Sequence, residues 1–200
     1  MSRVVIASNN PGKLRELEAL LRPLGIEPVA QSTLGVPEAE EPHDTFLENA
    51  LAKARHASRI TGLPALADDS GLCIPALGGA PGVHSAYFAG REGDRATRDA
   101  RNNAKLVAEL EHATDRSAFY YCVLVLMRSA RDPGPIVADG SWHGEIILRP
   151  RGDGGFGYDP YFVPAGELLT AAELPAEVKN RVSHRGRALA ALAAKLTAPR

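Results

Sequence analysis

The segment Leu63-Pro64-Ala65-Leu66-Ala67-Asp68-Asp69-Ser70-Gly71 joins a short apolar run to two adjacent carboxylates. A run of that length bounded by Pro and Gly reads as a buried β-strand, and the pattern predicts that both acids emerge at its carboxyl end. In open α/β sheets, ligands bind in the crevice at that end. Neighbouring carboxylates repel, and half-desolvating them without a counter-charge is costly. A divalent cation removes that cost, and an all-oxygen donor set favours Mg²⁺ or Mn²⁺ over zinc. Asp-Asp-Ser-Gly equally suits a solvated turn that caps the next segment, so the flanking chain has to decide.

Outward from this segment, strand and helix signals alternate. Residues 3–7 form a compact apolar strand, and Ser8-Asn9-Asn10-Pro11-Gly12 is a dense turn signal. A helix is predicted from about Lys13, with Leu14, Leu17, Leu21 and Leu24 on one face and Arg15, Glu16 and Glu18 toward water. A polar stretch, 35–44, leads to a second helix over 45–61, begun by the capping-box spacing of Thr45-Phe46-Leu47-Glu48 and ended by Gly62. The Gly-rich region 78–93 precedes a third helix near 97–110. Residues 119–127 read as a central strand buried on both faces. The turn Arg131-Asp132-Pro133-Gly134-Pro135 predicts a hairpin partner at 136–139, and 142–148 could extend the sheet. The loop 152–160 is too glycine-dense for regular structure, and two helices are expected near 170–174 and 187–196, with Leu189, Leu192 and Leu196 on the core face of the second. The fold class is α/β with a mixed sheet.

The chain has 200 residues, enough for one domain with a real core, expected here as a single domain over 1–200. Its net charge of −1 gives no bulk field for nucleic acid, and no stretch is long enough to span a membrane. The apolar start is too short for a signal peptide. Cys73 and Cys122 lack metal-type spacing and are expected as buried free thiols, which suits a cytoplasmic location.

Four further segments carry candidate chemistry. Ser8-Asn9-Asn10-Pro11-Gly12-Lys13 joins strand to helix, where free N–H groups and a lysine attract phosphate, although Leu14 after the lysine departs from a P-loop. Asn10 could equally just cap the helix, with Lys13 solvated. Gly155-Phe156-Gly157-Tyr158-Asp159-Pro160 sets two aromatics and a carboxylate on permissive backbone, either a stacking platform for a nucleobase or a packed aromatic turn. Ser183-His184-Arg185-Gly186, with Lys179 upstream, offers donors for carbonyl or phosphate oxygens, or a polar helix start. Glu40-Glu41 is a solvated pair unless it folds toward Asp69, and Lys53 reads as a surface helix lysine.

Taken together, Ser8-x-Asn10-x-x-Lys13, Ala67-Asp68-Asp69-Ser70-Gly71-Leu72, Gly79-Ala80-Pro81-Gly82-Val83-x-Ser85-Ala86, Gly155-Phe156-Gly157-Tyr158-Asp159-Pro160 and Ser183-His184-Arg185-Gly186 occur in one order and spacing. Over essentially its whole length the chain resembles the inosine/xanthosine triphosphate pyrophosphatases. The resemblance implies an elongated mixed central sheet flanked by helices, with two lobes and an active-site cleft between them. It implies hydrolysis of ITP, dITP and XTP to monophosphate and pyrophosphate, dependence on Mg²⁺ with Mn²⁺ as a possible substitute, and a homodimer. Carried over by residue, Ser8, Asn9, Asn10, Pro11, Gly12 and Lys13 would hold the triphosphate. Asp69 would be general base and metal ligand, with Glu41 and Asp68 as further metal ligands. Ser70 would contact substrate, Lys53 would be a possible phosphate contact, and Phe156, Gly157, Tyr158, Asp159, Lys179, His184 and Arg185 would form the base pocket. Where that family usually continues Ser-Ala-Arg-Tyr, this chain has Ser85-Ala86-Tyr87-Phe88, a departure expected to bear on rate and not on reaction type.

Overall fold

The structure, a computed structural model, describes residues 2–197. In chain order its elements are β1 (Ser2–Ile6), α1 (Pro11–Leu21), β2 (Ile26–Ala30), α2 (Phe46–Thr61), β3 (Ala65–Cys73), α3 (Arg95–Leu110), β4 (Ser117–Met127), β5 (Ile136–Ile146), β6 (Phe162–Pro164), α4 (Ala176–Val182) and α5 (His184–Thr197). Among the described residues the strands form one mixed sheet in the order β2-β1-β3-β4-β5-β6. β1 runs parallel to β2 and to β3, and β5 runs antiparallel to β6.

The acidic pair sits differently from the sequence expectation. β3 does not stop at Ala67 but continues to Cys73, so Asp68 and Asp69 lie within a strand and not after one. Ser70-Gly71 reads as a turn in isolation, yet Leu72, Cys73 and Ile74 beyond it are buried, and their burial draws the strand onward. Among the described residues β1 pairs with β3 at Val5↔Ala65 and Ile6↔Leu66, so β3 runs on past the end of β1 just where the acids come.

Strand pleat sends alternate side chains to opposite faces. On the Leu66 side, Val4, Ile6, Cys122, Leu124 and Leu126 pack with Leu17 and Leu21 of α1 and Ala188, Leu189 and Leu192 of α5. Asp68 belongs to that face and Asp69 to the other. Glu16, expected in water, instead meets Arg185, and Leu24 is exposed because α1 ends at Leu21 and a 3₁₀ turn follows.

By internal contacts the chain divides into two compact units. The first comprises 1–69, 122–140 and 185–200, and the second 70–121 and 141–184. The first unit holds the core just described. The second has its own, built from Leu72, Ile74, Leu106, Leu110, Ala118, Tyr120, Trp142, Ile146, Tyr158 and Phe162.

Several elements follow their sequence signals closely. Thr45 Oγ1 accepts from Glu48 N at 3.2 Å and donates to the Glu48 carboxylate at 2.6 Å, starting α2 as its capping-box spacing predicts. α3 starts two residues early because Asp94 caps it, accepting from Thr97 N at 2.8 Å. The two predicted segments after the 131–135 turn are one strand, β5. No helix forms at 170–174; Pro175 disfavours helical backbone before it, and the helix is α4, which begins after that proline. Strands β2 and β6 carried no clear signal. Each contains a proline, Pro28 and Pro164, and each lies at a sheet edge, where a missing N–H is tolerated.

Candidate active site

In the first unit the pleat of β3 delivers its two carboxylates to different surroundings. Asp68 is fully buried on the α1/α5 face. Lys13 Nζ lies 2.5 Å from its Oδ1, Arg185 Nε donates to its Oδ2 at 2.7 Å, and Cys122 Sγ is 3.2 Å from the same oxygen. Arg185 also donates to Glu16. Lys13, Asp68, Arg185 and Glu16 thus form a chain of alternating charge that begins and ends on α1. Burial alone would raise the Asp68 pKa, but Arg185 and Lys13 outweigh it and hold the carboxyl well below its usual range. The Cys122 thiol is pushed up, first by burial and then by the Asp68 charge.

At the strand-to-helix loop, Asn10 Oδ1 accepts from Gly12 N at 2.9 Å and Lys13 N at 3.2 Å, so the capping role of Asn10 is realised. The Asn10 N–H donates to Ser8 Oγ at 3.2 Å, and Asn9 Oδ1 accepts from Gln31 Nε2 at 3.1 Å. Lys13 is not solvated, as the capping alternative would have it, but aimed at Asp68. Pro11 is exposed and Gly12 buried at the first turn.

Asp69 faces α2. Lys53, which reads as a surface lysine in sequence, is buried there, with its Nζ 2.8 Å from Asp69 Oδ1 and 3.3 Å from Glu41 Oε1. The Glu41 loop therefore does fold over toward Asp69, through a shared lysine. The second oxygen, Asp69 Oδ2, is buried and has no hydrogen-bond partner among the described residues. Burial raises the Asp69 pKa, Lys53 and Lys13 oppose the rise, and Glu41 adds to it; the net shift is upward. Burial works against charged Lys53, but Asp69 and Glu41 prevail and raise it. Two adjacent carboxylates are thus pushed in opposite directions, the arrangement that separates a fixed anion from a proton acceptor.

The second unit gathers the aromatic loop. Lys179 Nζ is 2.6 Å from Asp159 Oδ2, and the same oxygen accepts from Phe156 N at 2.8 Å. Gly155 has φ of +70°, and a Cβ there would come within 2.9 Å of the Asp159 carboxyl carbon, so only glycine admits this turn. Lys179 Nζ lies 5.1 Å from the centroid of the Phe156 ring. His184 stacks on Tyr120 with centroids 4.7 Å apart and planes inclined by 10°. The two loop aromatics part company. Tyr158 is packed into the core with its hydroxyl donating to Ser85 O at 2.8 Å, while Phe156 stays half-buried. Burial, and then Asp99, raises the Tyr158 phenol. Ser70 is half-buried in β3.

The profile of the Ham1 family matches residues 4–195. The chain belongs to the Ham1 family. It is 63% identical over 196 residues to a dITP/XTP pyrophosphatase of Ralstonia nicotianae, covering 98% of this chain and 97% of that protein. A dITP/XTP pyrophosphatase of Bordetella pertussis is likewise 63% identical, covering 99% and 92%. Among solved structures, a HAM1 protein from Coxiella burnetii superposes with a TM-score of 0.89 at 49% identity, covering 98% of this chain and 99% of that one. The Staphylococcus aureus Ham1 protein gives 0.84 at 36%, covering 98% of both chains.

Within this Ham1 fold two of the candidate residues have charged protein partners. Arg185 is 2% exposed and pairs with Asp68 and Glu16. His184 and Arg185 are neighbours in sequence with different surroundings. Asp68 has a cation at each of its oxygens, Lys13 at Oδ1 and Arg185 at Oδ2. The sequence assigns Glu16, Cys122 and Tyr120 no place at the site, where the structure sets them beside Arg185, Asp68 and His184. Only Glu16 carried a signal, its place one helical turn beyond Lys13.

Proposed function

We propose that this Ham1-family protein hydrolyses dITP, ITP and XTP to the nucleoside monophosphate and pyrophosphate, clearing deaminated purines from the nucleotide pool of the cytoplasm. The observation that carries the reading is Asp69, a buried carboxylate with a raised pKa, one oxygen held by Lys53 and the other unpartnered. Water attacks the α-phosphorus, the bond from that phosphorus to the bridging oxygen breaks, and pyrophosphate leaves. Asp69 Oδ2 is the atom that takes the proton from water, and its raised pKa makes it a better base than a solvated aspartate. Lys53 fixes the orientation of that carboxylate. The loop from Ser8 to Lys13 takes the polyphosphate, with Lys13 held in place by its pair with Asp68.

The exposed Glu41, with the Asp69 carboxylate beside it across Lys53, fits a hard divalent cation. A pair of carboxylates suits Mg²⁺, which takes one or two carboxylates and completes its shell from phosphate oxygens and water. Bound there, Mg²⁺, or Mn²⁺ in its place, would neutralise charge on the phosphate oxygens and ease deprotonation of water.

The purine falls to Phe156, Gly157, Tyr158, Asp159, Lys179 and His184 of the second unit. Hypoxanthine and xanthine carry a carbonyl where adenine carries an amino group, so donors placed there accept the former and leave adenine unpaired. The protein is expected to work as a homodimer.

Product analysis tests the reading. Incubated with dITP, XTP, ATP and GTP in Mg²⁺, the protein should release pyrophosphate and monophosphate from the first two and leave the others nearly intact. Orthophosphate release, indifference to the base, or no turnover overturns it.

A further inference from the structure

α3 turns one polar face to the aromatic loop of the second unit. Arg95, Asp99 and Asn103 are spaced four residues apart along it, so they line one side of the helix. Asp99 Oδ2 accepts from Gly157 N at 3.3 Å, and Asn103 Nδ2 donates to Gly157 O at 3.0 Å. The Arg95 guanidinium lies 4.9 Å from the Phe156 ring centroid, while its Nε is 3.5 Å from Asp99. Both polar groups of the Gly157 backbone, and the ring before it, are therefore held by one helix. The neighbouring Asn102 repeats the pattern. Its Nδ2 donates to Ser85 O at 3.2 Å, the carbonyl that also receives the Tyr158 hydroxyl, and its Oδ1 accepts from Ala89 N at 2.8 Å. Residues 151–155, just before, are exposed. From Phe156 onward the loop is held by α3.

We propose that Asp99 and Asn103 are positioning residues for purine recognition: they fix the Gly157 backbone so that the Phe156 ring is set before substrate arrives, with Arg95 stacked on that ring. The proposal rests on the reading of the loop as the base site. A glycine-rich loop must lose backbone freedom to present a ring, and a clamp formed in the free protein removes that cost from binding. The groups that the clamp holds are the Gly157 backbone and the Phe156 ring, so it bears on affinity for the base and not on the chemical step. The side chains are ordinary helix residues, and no recognised motif contains them.

The test compares Asp99→Ala, Asn103→Ala and Asp99→Asn with the unaltered protein. Steady-state kinetics use dITP and ATP in Mg²⁺, and inorganic tripolyphosphate serves as a competitive inhibitor lacking a base. Each alanine variant should raise KM for dITP by about tenfold, the scale of one lost hydrogen bond, with kcat within about twofold. Preference for dITP over ATP should fall, and inhibition by tripolyphosphate should stay unchanged. Asp99→Asn keeps an acceptor for the Gly157 N–H and should retain most of the affinity. Wild-type KM in both alanine variants overturns the proposal, as does an equal weakening of tripolyphosphate and dITP, which would mean general loosening. Failure of the parent reading shows separately, as an unaltered protein that is inactive or indifferent to the base.

Discussion

Asp68 and Asp69 share a peptide bond, yet the pleat gives one a cage of cations and the other an open oxygen. Their substitutions should therefore differ in kind. Asp69→Asn should cut kcat by about 10²–10⁴-fold, the usual worth of a general base, in a protein that still folds. Asp68→Asn leaves Arg185 buried beside a neutral partner and should cost about 3–5 kcal/mol in urea unfolding. Because the Asp68 pKa is depressed on folding, its contribution is complete above the unfolded carboxylate range and is lost as pH falls through the depressed value. Asp69 has the opposite sign: its raised pKa means that ionising it opposes folding. In metal-free protein, carboxyl carbon NMR should find Asp69 titrating above the usual aspartate range. Lys53→Met should move that titration up by removing an opposing cation, and Glu41→Gln should move it down by removing a like charge. Shifts in the reverse directions would mean that these neighbours do not set the base.

At the scale of elements, local chemistry and packing divide the credit. The start of α2 was legible because Thr45 and Glu48 satisfy each other within a single turn. Thr45→Ala should cost about 1 kcal/mol, lowering the midpoint of thermal unfolding by about 2–4 °C. The contact of β5 with β6 was not legible. Gly144 looks like any strand glycine, but a Cβ there would come within 2.9 Å of Pro164 Cα and 2.8 Å of the Phe162 ring. Gly144→Ala should therefore destabilise by about 1–3 kcal/mol, read from the urea midpoint, because a backbone wall cannot move aside as a flexible side chain can. β3 shows why the strand end was misplaced. Ser70-Gly71 is a turn by local preference, and only the burial of Leu72 and Ile74 against the second core makes it strand. The base loop divided similarly. Its glycines were visible, but the helix that clamps Gly157 lies more than fifty residues away in sequence.

For the whole molecule, composition bounded the possibilities. A net charge of −1 leaves no general attraction for polyanions, so the affinity proposed for a triphosphate calls for a local source, for which Lys13, Lys53 and the start of α1 are the candidates. Protein ion pairs brace the candidate site, so removing metal should leave the fold nearly untouched. EDTA is expected to abolish turnover while shifting the thermal midpoint little, and added Mg²⁺ should restore activity; at concentrations near its Kd, bound Mg²⁺ would add only about 0.4 kcal/mol. A large loss of structure in EDTA would contradict this. The sequence by itself determined the α/β class, the helix caps, the motifs and their order, because each depends on residues within a few positions of one another. Tertiary structure alone decided that Asp68 meets Arg185 across 117 positions, that Lys53 is buried, and which carboxylate keeps an unpartnered oxygen. Those are questions of which face a side chain takes and what packs there, and a linear pattern has no coordinate for either.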